Sequence, residues 1–352
     1  MWRCPTCGGV LELADAPKFD PALVDRRDRS VWRYRHTFPV PPQTEPVSLG
    51  EGETPLIPAE IEGRQVHFKL EYLNPSGSFK DRGTTVMVTA LAASGVKEAA
   101  EDSSGNAGAS FAAYAARAGI RARVFVPAAA SGPKRAQIEA YGAELVPIPG
   151  PRSKAAEAVR QAAADGAVYA SHNYNPIGLA GLATTAFELW ETLGRDPLRN
   201  AWVIVPVGHG SNILGLARGF RILQNSGLIE SLPRLVGVQA LAVAPLWALK
   251  TYGLDGLGFV AEGETIAEGI RILQPVRGDA ALTAVAESGG DILAVDEEAI
   301  RLGQSALARL GFYVEPTSAV VWPALMEVLK KAGKEDTIAV LLTGSGFKST
   351  KQ

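Results

Sequence analysis

The run Asn74-Pro75-Ser76-Gly77-Ser78-Phe79-Lys80-Asp81-Arg82-Gly83 contains the side chain with the strongest chemical potential in the sequence. Pro75 and Gly77 favour a tight turn, and Ser78 with Asp81 has the Ser-x-x-Asp spacing of a capping box. This pattern predicts Lys80 in the first turn of a helix over residues 80–94. The positive end of a helix dipole disfavours an ammonium there. A lysine that sheds its proton is a neutral amine, the form that Schiff-base chemistry requires. A solvated lysine at a helix start is the ordinary alternative, so the reading depends on what accompanies it.

Three other segments accompany it. Ser103-Ser104-Gly105-Asn106-Ala107-Gly108 precedes an Ala-rich helix expected over 109–118, and free N–H groups at such a start bind carboxylate or phosphate. Asn106 can offer an amide to a ring oxygen. Pro206-Val207-Gly208-His209-Gly210-Ser211-Asn212-Ile213 is a Gly-rich loop whose small residues let successive N–H groups converge on a phosphate. It lacks the lysine of a Walker loop and the spacing of a dinucleotide fingerprint. In Leu341-Leu342-Thr343-Gly344-Ser345-Gly346-Phe347-Lys348, the Thr343 hydroxyl can hydrogen-bond a pyridine nitrogen. Taken singly, these are also a cap, a tight turn and a strand terminus.

The elements that must position these residues alternate between β-rich runs and amphipathic helices. Expected strands at 66–72, 121–126 and 145–148 lead into helices at 80–94, 132–141 and 153–164. A strand over 202–207 leads through the Gly loop into a helix from 213, and further strands are expected at 235–239 and 337–342. This is an α/β pattern with parallel sheets, in which ligands sit where strands end and helices begin. No short fixed repeat is present, which excludes a solenoid. Residues 1–45, rich in Pro, Arg and aromatics, read as an irregular arm packed against a larger body.

Composition narrows the class. Of 352 residues, 47% are hydrophobic and 20% charged, with a formal net charge of -2. No basic field exists to attract nucleic acid or an anionic membrane. No apolar run approaches the roughly 20 residues that a membrane span needs, and Met-Trp-Arg-Cys-Pro carries no signal core, so a cytoplasmic enzyme is expected. The two cysteines, Cys4 and Cys7, followed by Gly8-Gly9, suit one half of a zinc knuckle. A closed structural site takes about four ligands. With no second pair, no metal is expected; a vestigial arm, a zinc shared with a partner and redox chemistry stay open.

Taken together and in this order, the four segments resemble the fold type II pyridoxal-phosphate (PLP) enzymes, and among them the threonine synthase family. The likeness covers nearly the whole chain. It includes Trp32-Arg33-Tyr34-Arg35 with Pro39-Val40, Val47-Ser48-Leu49-Gly50-Glu51-Gly52 with Thr54-Pro55-Leu56, Ser288-Gly289-Gly290, and Glu315-Pro316-Thr317-Ser318-Ala319. The resemblance implies a tryptophan synthase β-like fold, two parallel-sheet α/β domains with the cofactor between them. The large domain would comprise 46–87 and 171–352, the small mobile one 88–170. Pyridoxal 5'-phosphate would be held by Lys80 as Schiff-base lysine and general base. Asn106 would meet its ring oxygen, Gly208, His209, Gly210, Ser211 and Asn212 its phosphate, and Thr343 its ring nitrogen. Ser103, Ser104, Gly105, Ala107, Asp102 and His172 would contact a small amino-acid substrate. A homodimer is implied as well.

The sequence departs from the family where a substrate phosphate would be gripped. Ala107 replaces a usual hydroxyl residue, His172 and His209 replace usual asparagines, Gly178 stands where an Asn-Pro-x-Arg pattern places arginine, and Leu182-Ala183 replaces a Gln-Lys pair. Losing a guanidinium partner for a phosphate dianion is not conservative. Glu101 and Asp102 precede Ser103 at a strand end that is normally small and apolar. An Asp102 turned into the pocket would repel a phosphorylated substrate. The leading expectation is elimination or replacement at the β or γ carbon of an amino acid, with an altered leaving-group pocket. The alternatives are an authentic threonine synthase using Lys134, Arg135 or His172 as phosphate ligands, a serine/threonine dehydratase-type ammonia lyase, and a non-catalytic paralogue that binds PLP or an amino acid.

Overall fold

Apolar β-branched runs become the central strands of the larger sheet, which are covered on both faces. A computed structural model describes residues 2–14, 17–130, 132–261 and 263–349. The larger sheet contains β1 (Leu56–Ile61), β2 (Arg64–Lys69), β6 (Trp202–Pro206), β7 (Arg234–Ala240), β8 (Asp291–Val295) and β9 (Ile338–Leu341), in the order β1-β2-β9-β6-β7-β8. Only the β1/β2 hairpin is antiparallel. The smaller sheet is parallel, β3 (Glu98–Glu101), β4 (Arg121–Pro127) and β5 (Glu144–Ile148). It is extended at one edge by a bridge between Ala100 and Tyr169. β9 is buried at every position, as a central parallel strand under helices on both faces must be.

The helices are α1 (Lys80–Ala93), α2 (Asn106–Ala118), α3 (Pro133–Ala140), α4 (Arg152–Ala164), α5 (Ile177–Leu193), α6 (Arg195–Leu198) and α7 (Ser211–Asn225), followed by further helices toward the C-terminus. Missing side chains let α1, α5 and α7 approach closely. A Cβ on Gly181 of α5 would lie 1.8 Å from the Arg82 carbonyl of α1, and one on Gly215 of α7 would lie 2.3 Å from the Leu182 Cβ. The N-terminal arm is built into this layer. Phe19, Trp32 and Tyr34 are buried in the core around Phe187, and the Trp32 indole N–H donates to Thr85 Oγ1 at 2.8 Å.

Several expected boundaries shift. The strand expected to reach Tyr72 stops at Lys69, because Glu71 turns inward to meet Arg82. The helices expected from 109 and 213 begin earlier, at Asn106 and Ser211, which puts Asn106 to Gly108 and Ser211 with Asn212 inside a first helical turn. The capping box does not form. Asp81 instead accepts from the Ser76 N–H and hydroxyl, both at 2.6 Å, and from the Ser110 hydroxyl at 2.6 Å. Ser78 is held in a β-bridge to Gly344, and its hydroxyl has no partner among the described residues.

One buried ionic cluster ties these elements together. The Arg82 guanidinium is fully buried and donates to both Glu71 oxygens (2.6 and 2.8 Å) and both Glu188 oxygens (2.6 and 2.7 Å). Lys69 Nζ adds a second cation to Glu188 at 2.6 Å. Burial alone would raise the Glu188 carboxyl, but Arg82 and Lys69 hold it well below its ordinary range. Arg82→Met would strand two buried carboxylates, and urea unfolding is expected to show a loss of about 3–5 kcal/mol. The stability that Glu188 contributes is complete above its unfolded value of 4.5 and fades as pH falls below it. The acid limb of the stability curve should therefore be shallower in Arg82→Met than in the parent.

Candidate active site

A cavity of about 1120 Å³ opens where the carboxyl ends of strands from both sheets face each other. Its wall is drawn from the segments that follow β3 (Ser103 to Ala107), β5 (Gly150 to Arg152), β6 (Val207 to Ile213) and β9 (Thr343), with Lys80 contributed by α1. Strand ends are where an α/β fold leaves backbone groups available to a ligand. Every residue that the sequence nominated for cofactor or substrate contact lines this space except Asp102 and Arg135.

Lys80 is the first residue of α1, and its amine lies 4.7 Å from the centroid of the Phe79 ring. Burial pushes its ammonium down to about 8, Glu101 and Glu315 oppose this, and Arg152 adds to it. Removal from water is therefore the leading cause, rather than the helix dipole on which the sequence argument relied. An amine so placed is deprotonated often enough near neutral pH to act as nucleophile or base.

Around this amine the structure leaves a set of hydrogen-bonding groups without protein partners. The N–H groups of Gly208, His209, Gly210, Ser211 and Asn212 find no acceptor among the described residues. The loop is shaped by Gly210, at φ +96°, where a Cβ would also meet the Arg277 carbonyl at 2.9 Å. Asn212 Nδ2, Asn106 Oδ1 and Thr343 Oγ1 are buried and unpartnered. Asn106 Nδ2 donates to Glu315 Oε1 at 2.7 Å, leaving its second N–H for the cavity. Unpaired buried polar atoms cost about 1–3 kcal/mol each, and their convergence on one space is what a polar, phosphorylated aromatic ligand would relieve.

The acidic pair at the end of β3 divides its work in the opposite sense to the expectation. Asp102 turns away from the cavity and accepts from the Tyr169 hydroxyl at 2.7 Å. Glu101, fully buried, lies 2.5 Å from His172 Nδ1 and interacts with Lys80. Neither acid lines the cavity; Glu101 acts on it through His172, which does. Of the cations considered as phosphate ligands, Lys134 is engaged by Glu315 at 2.8 Å, and Arg135 bonds the Ala130 carbonyl outside the cavity lining. Position 178 packs backbone to backbone against Gly83 and does not line the cavity.

Arg152 was not anticipated. It opens α4, lines the cavity, and influences Lys80, Glu101, His172 and His209, with no carboxylate paired to it among the described residues. The signal was present in the sequence: α4 begins Arg-Ser-Lys with no acid in its first turn, against the preference of the dipole. His209 receives the Val276 N–H on Nδ1 at 3.3 Å, and burial keeps its imidazole well below its ordinary value. Cys4 and Cys7 are free thiols in a tight turn closed by Gly8 N–H to Cys4 O at 2.9 Å. No group of three or more metal-ligating side chains occurs among the described residues, and no helix among them is long and apolar enough to cross a membrane.

Comparison with known proteins agrees with this geometry. Residues 47–344 match the family described as pyridoxal-phosphate dependent enzyme. The chain is 37% identical to the threonine synthase of Methanocaldococcus jannaschii, over 97% of this chain and 87% of that protein. It is 38% identical to that of Mycobacterium tuberculosis, over 90% and 87% respectively. Among solved structures, a T.th. threonine deaminase superposes with a TM-score of 0.70 at 26% identity, covering 85% of this chain and 94% of that one. Maize serine racemase shares the fold, with a TM-score of 0.69 at 23% identity, over 84% and 88%. The chain therefore belongs to the pyridoxal-phosphate-dependent enzymes of fold type II and, within them, to the threonine synthase family. Its cofactor is pyridoxal 5'-phosphate, and the residues present fit that group: a glycine cradle of free N–H donors, an unpartnered threonine hydroxyl, an asparagine amide and a desolvated lysine. Gly210→Ala should loosen the cradle by forcing a side chain into a left-handed backbone position. Dialysed protein is expected to keep less cofactor absorbance than the parent while unfolding at a similar temperature.

Proposed function

We propose that this chain is a lyase-type enzyme that eliminates or replaces a group at the β or γ carbon of an amino acid, with Lys80 as the cofactor attachment point and the base for the Cα proton. One observation carries the reading: the desolvated Lys80 amine shares a single cavity with the unpartnered N–H groups of residues 208–212. In this reading the loop holds the cofactor phosphate, Asn106 the ring oxygen and Thr343 the ring nitrogen. The start of α2, with Ser103, Ser104, Gly105 and Ala107, receives the substrate carboxylate. Bound PLP supplies an electron sink for the pair released at Cα. The Thr343 hydroxyl carries no charge, so it does not hold the ring nitrogen protonated, which suits elimination and replacement better than transamination. Assembly as a homodimer is part of the same proposal.

A second reading, threonine formation from O-phosphohomoserine, is favoured by Arg152, a cavity cation that could take a substrate phosphate. Purified enzyme should be coloured and should trap cofactor on Lys80 under borohydride, and Lys80→Ala should lose both properties along with turnover. Product analysis with O-phosphohomoserine, serine and threonine then separates the readings. Keto acid and ammonia from the unphosphorylated substrates support the first. Phosphate and threonine from the phosphorylated one support the second, and a colourless parent protein rejects both.

A further inference from the structure

Two of the positions at which the sequence suggests a departure from the family pattern meet in space, and a third stands beside them. Glu101 Oε1 lies 2.5 Å from His172 Nδ1, and the His172 ring is 6.3 Å, centroid to centroid, from that of His209. Glu101 is fully buried at the end of β3, and its second oxygen has no partner. With Nδ1 occupied by Glu101, the remaining nitrogen of His172, Nε2, is the atom free for chemistry, and His172 is part of the cavity wall that contains Lys80.

We propose that His172, backed by Glu101, is a second acid–base residue beside Lys80 that serves the leaving group, and that the site accepts amino acids whose leaving group is a hydroxyl. The inference rests on the PLP-dependent elimination proposed above. A phosphate departs as a stable anion and needs cations. A hydroxyl departs only if it gains a proton, and a neutral imidazole with a proton behind it provides one. The balance closes. The C–O bond breaks with its pair on oxygen, which takes the Nε2 proton of His172, while the Glu101 hydroxyl proton moves to Nδ1. Lys80 takes the proton from Cα, whose C–H pair becomes the Cα=Cβ bond. Water leaves, and what remains is a Lys80 ammonium and, behind His172, a Glu101 carboxylate, opposite charges that attract each other.

The surroundings suit the starting state. The groups facing His172 are Lys80 from α1, Arg152 from α4, Glu101 and Asp102 from the end of β3, and His209 from the loop after β6. Burial, with Lys80 and Arg152, holds His172 well below its ordinary value against the pull of Asp102. Burial raises Glu101 to about 8, despite Lys80 and Arg152. Both partners are thus neutral near pH 7, with the shared proton on the carboxyl.

The test compares serine with O-acetylserine, whose leaving group needs no proton, on the cofactor-loaded enzyme. His172→Asn and Glu101→Gln should each raise the ratio of kcat on O-acetylserine to kcat on serine by about 100-fold, the lower end of what a general acid contributes. Glu101→Gln keeps a side chain that can bond to Nδ1 but removes the transferable acid proton. A ratio that stays constant in both variants overturns the proposal. So does a parent enzyme that turns over O-acetylserine but neither serine nor threonine, an outcome that leaves the PLP reading standing. A second readout needs no cofactor. The chain has four histidines, His36, His67, His172 and His209, so the ¹⁵N signals of His172 can be assigned by their loss in His172→Asn. A neutral ring with the proton on Nε2 and a strongly bonded Nδ1 is expected at pH 7, and a doubly protonated imidazolium there overturns the proposal.

Discussion

The guanidinium of Arg82, clasped between Glu71 and Glu188, is the interaction on which the site depends. It sits two residues after Lys80 in the same helix, and its partners come from the turn after β2 and from α5. With Lys69, the cluster balances two cations against two carboxylates, so no net charge is sealed in the core. Its directional bonds fix the rotation of α1 and with it the bearing of the Lys80 side chain. Hydrophobic packing is less directional and would tolerate rotations that take the amine out of line.

Around that fixed point lie two kinds of group suited to anions, backbone N–H groups and side-chain cations. Backbone N–H groups at the starts of α2 and α7 are donors without side-chain charge, an arrangement suited to an anion that leaves the lysine free to lose its proton. Side-chain cations also line the cavity: Lys134 is neutralised by Glu315, whereas Arg152, Arg271 and Arg301 reach it without a carboxylate partner among the described residues.

How much of this was legible follows from the range of each interaction. Lys80, the turn at 103–108, the loop at 208–212 and Thr343 were readable because each is a local pattern of turn formers at a strand end. The alternation of strands and helices was readable for the same reason, with errors of a few residues at the boundaries. The Arg82 cluster was not, since it joins residues more than a hundred positions apart. Asp102 was expected to face the pocket, but its side chain is held by the Tyr169 hydroxyl, a partner 67 positions away that no local pattern announces. The capping box failed because Asp81 found Ser110 and Ser76, partners that exist only once α2 has docked on α1.

The contact of Gly181 with the Arg82 carbonyl carries a consequence for how this sequence can vary. A side chain there would need room that the Arg82 carbonyl already occupies, so α1 and α5 would have to separate, and the reactive nitrogen rides on α1. A displacement of about 1 Å in a reacting group can reduce rate about a hundredfold. A position that touches neither ligand nor solvent is therefore constrained as tightly as the lysine itself, and drift toward new substrates has to proceed through the cavity wall rather than through the helices behind it.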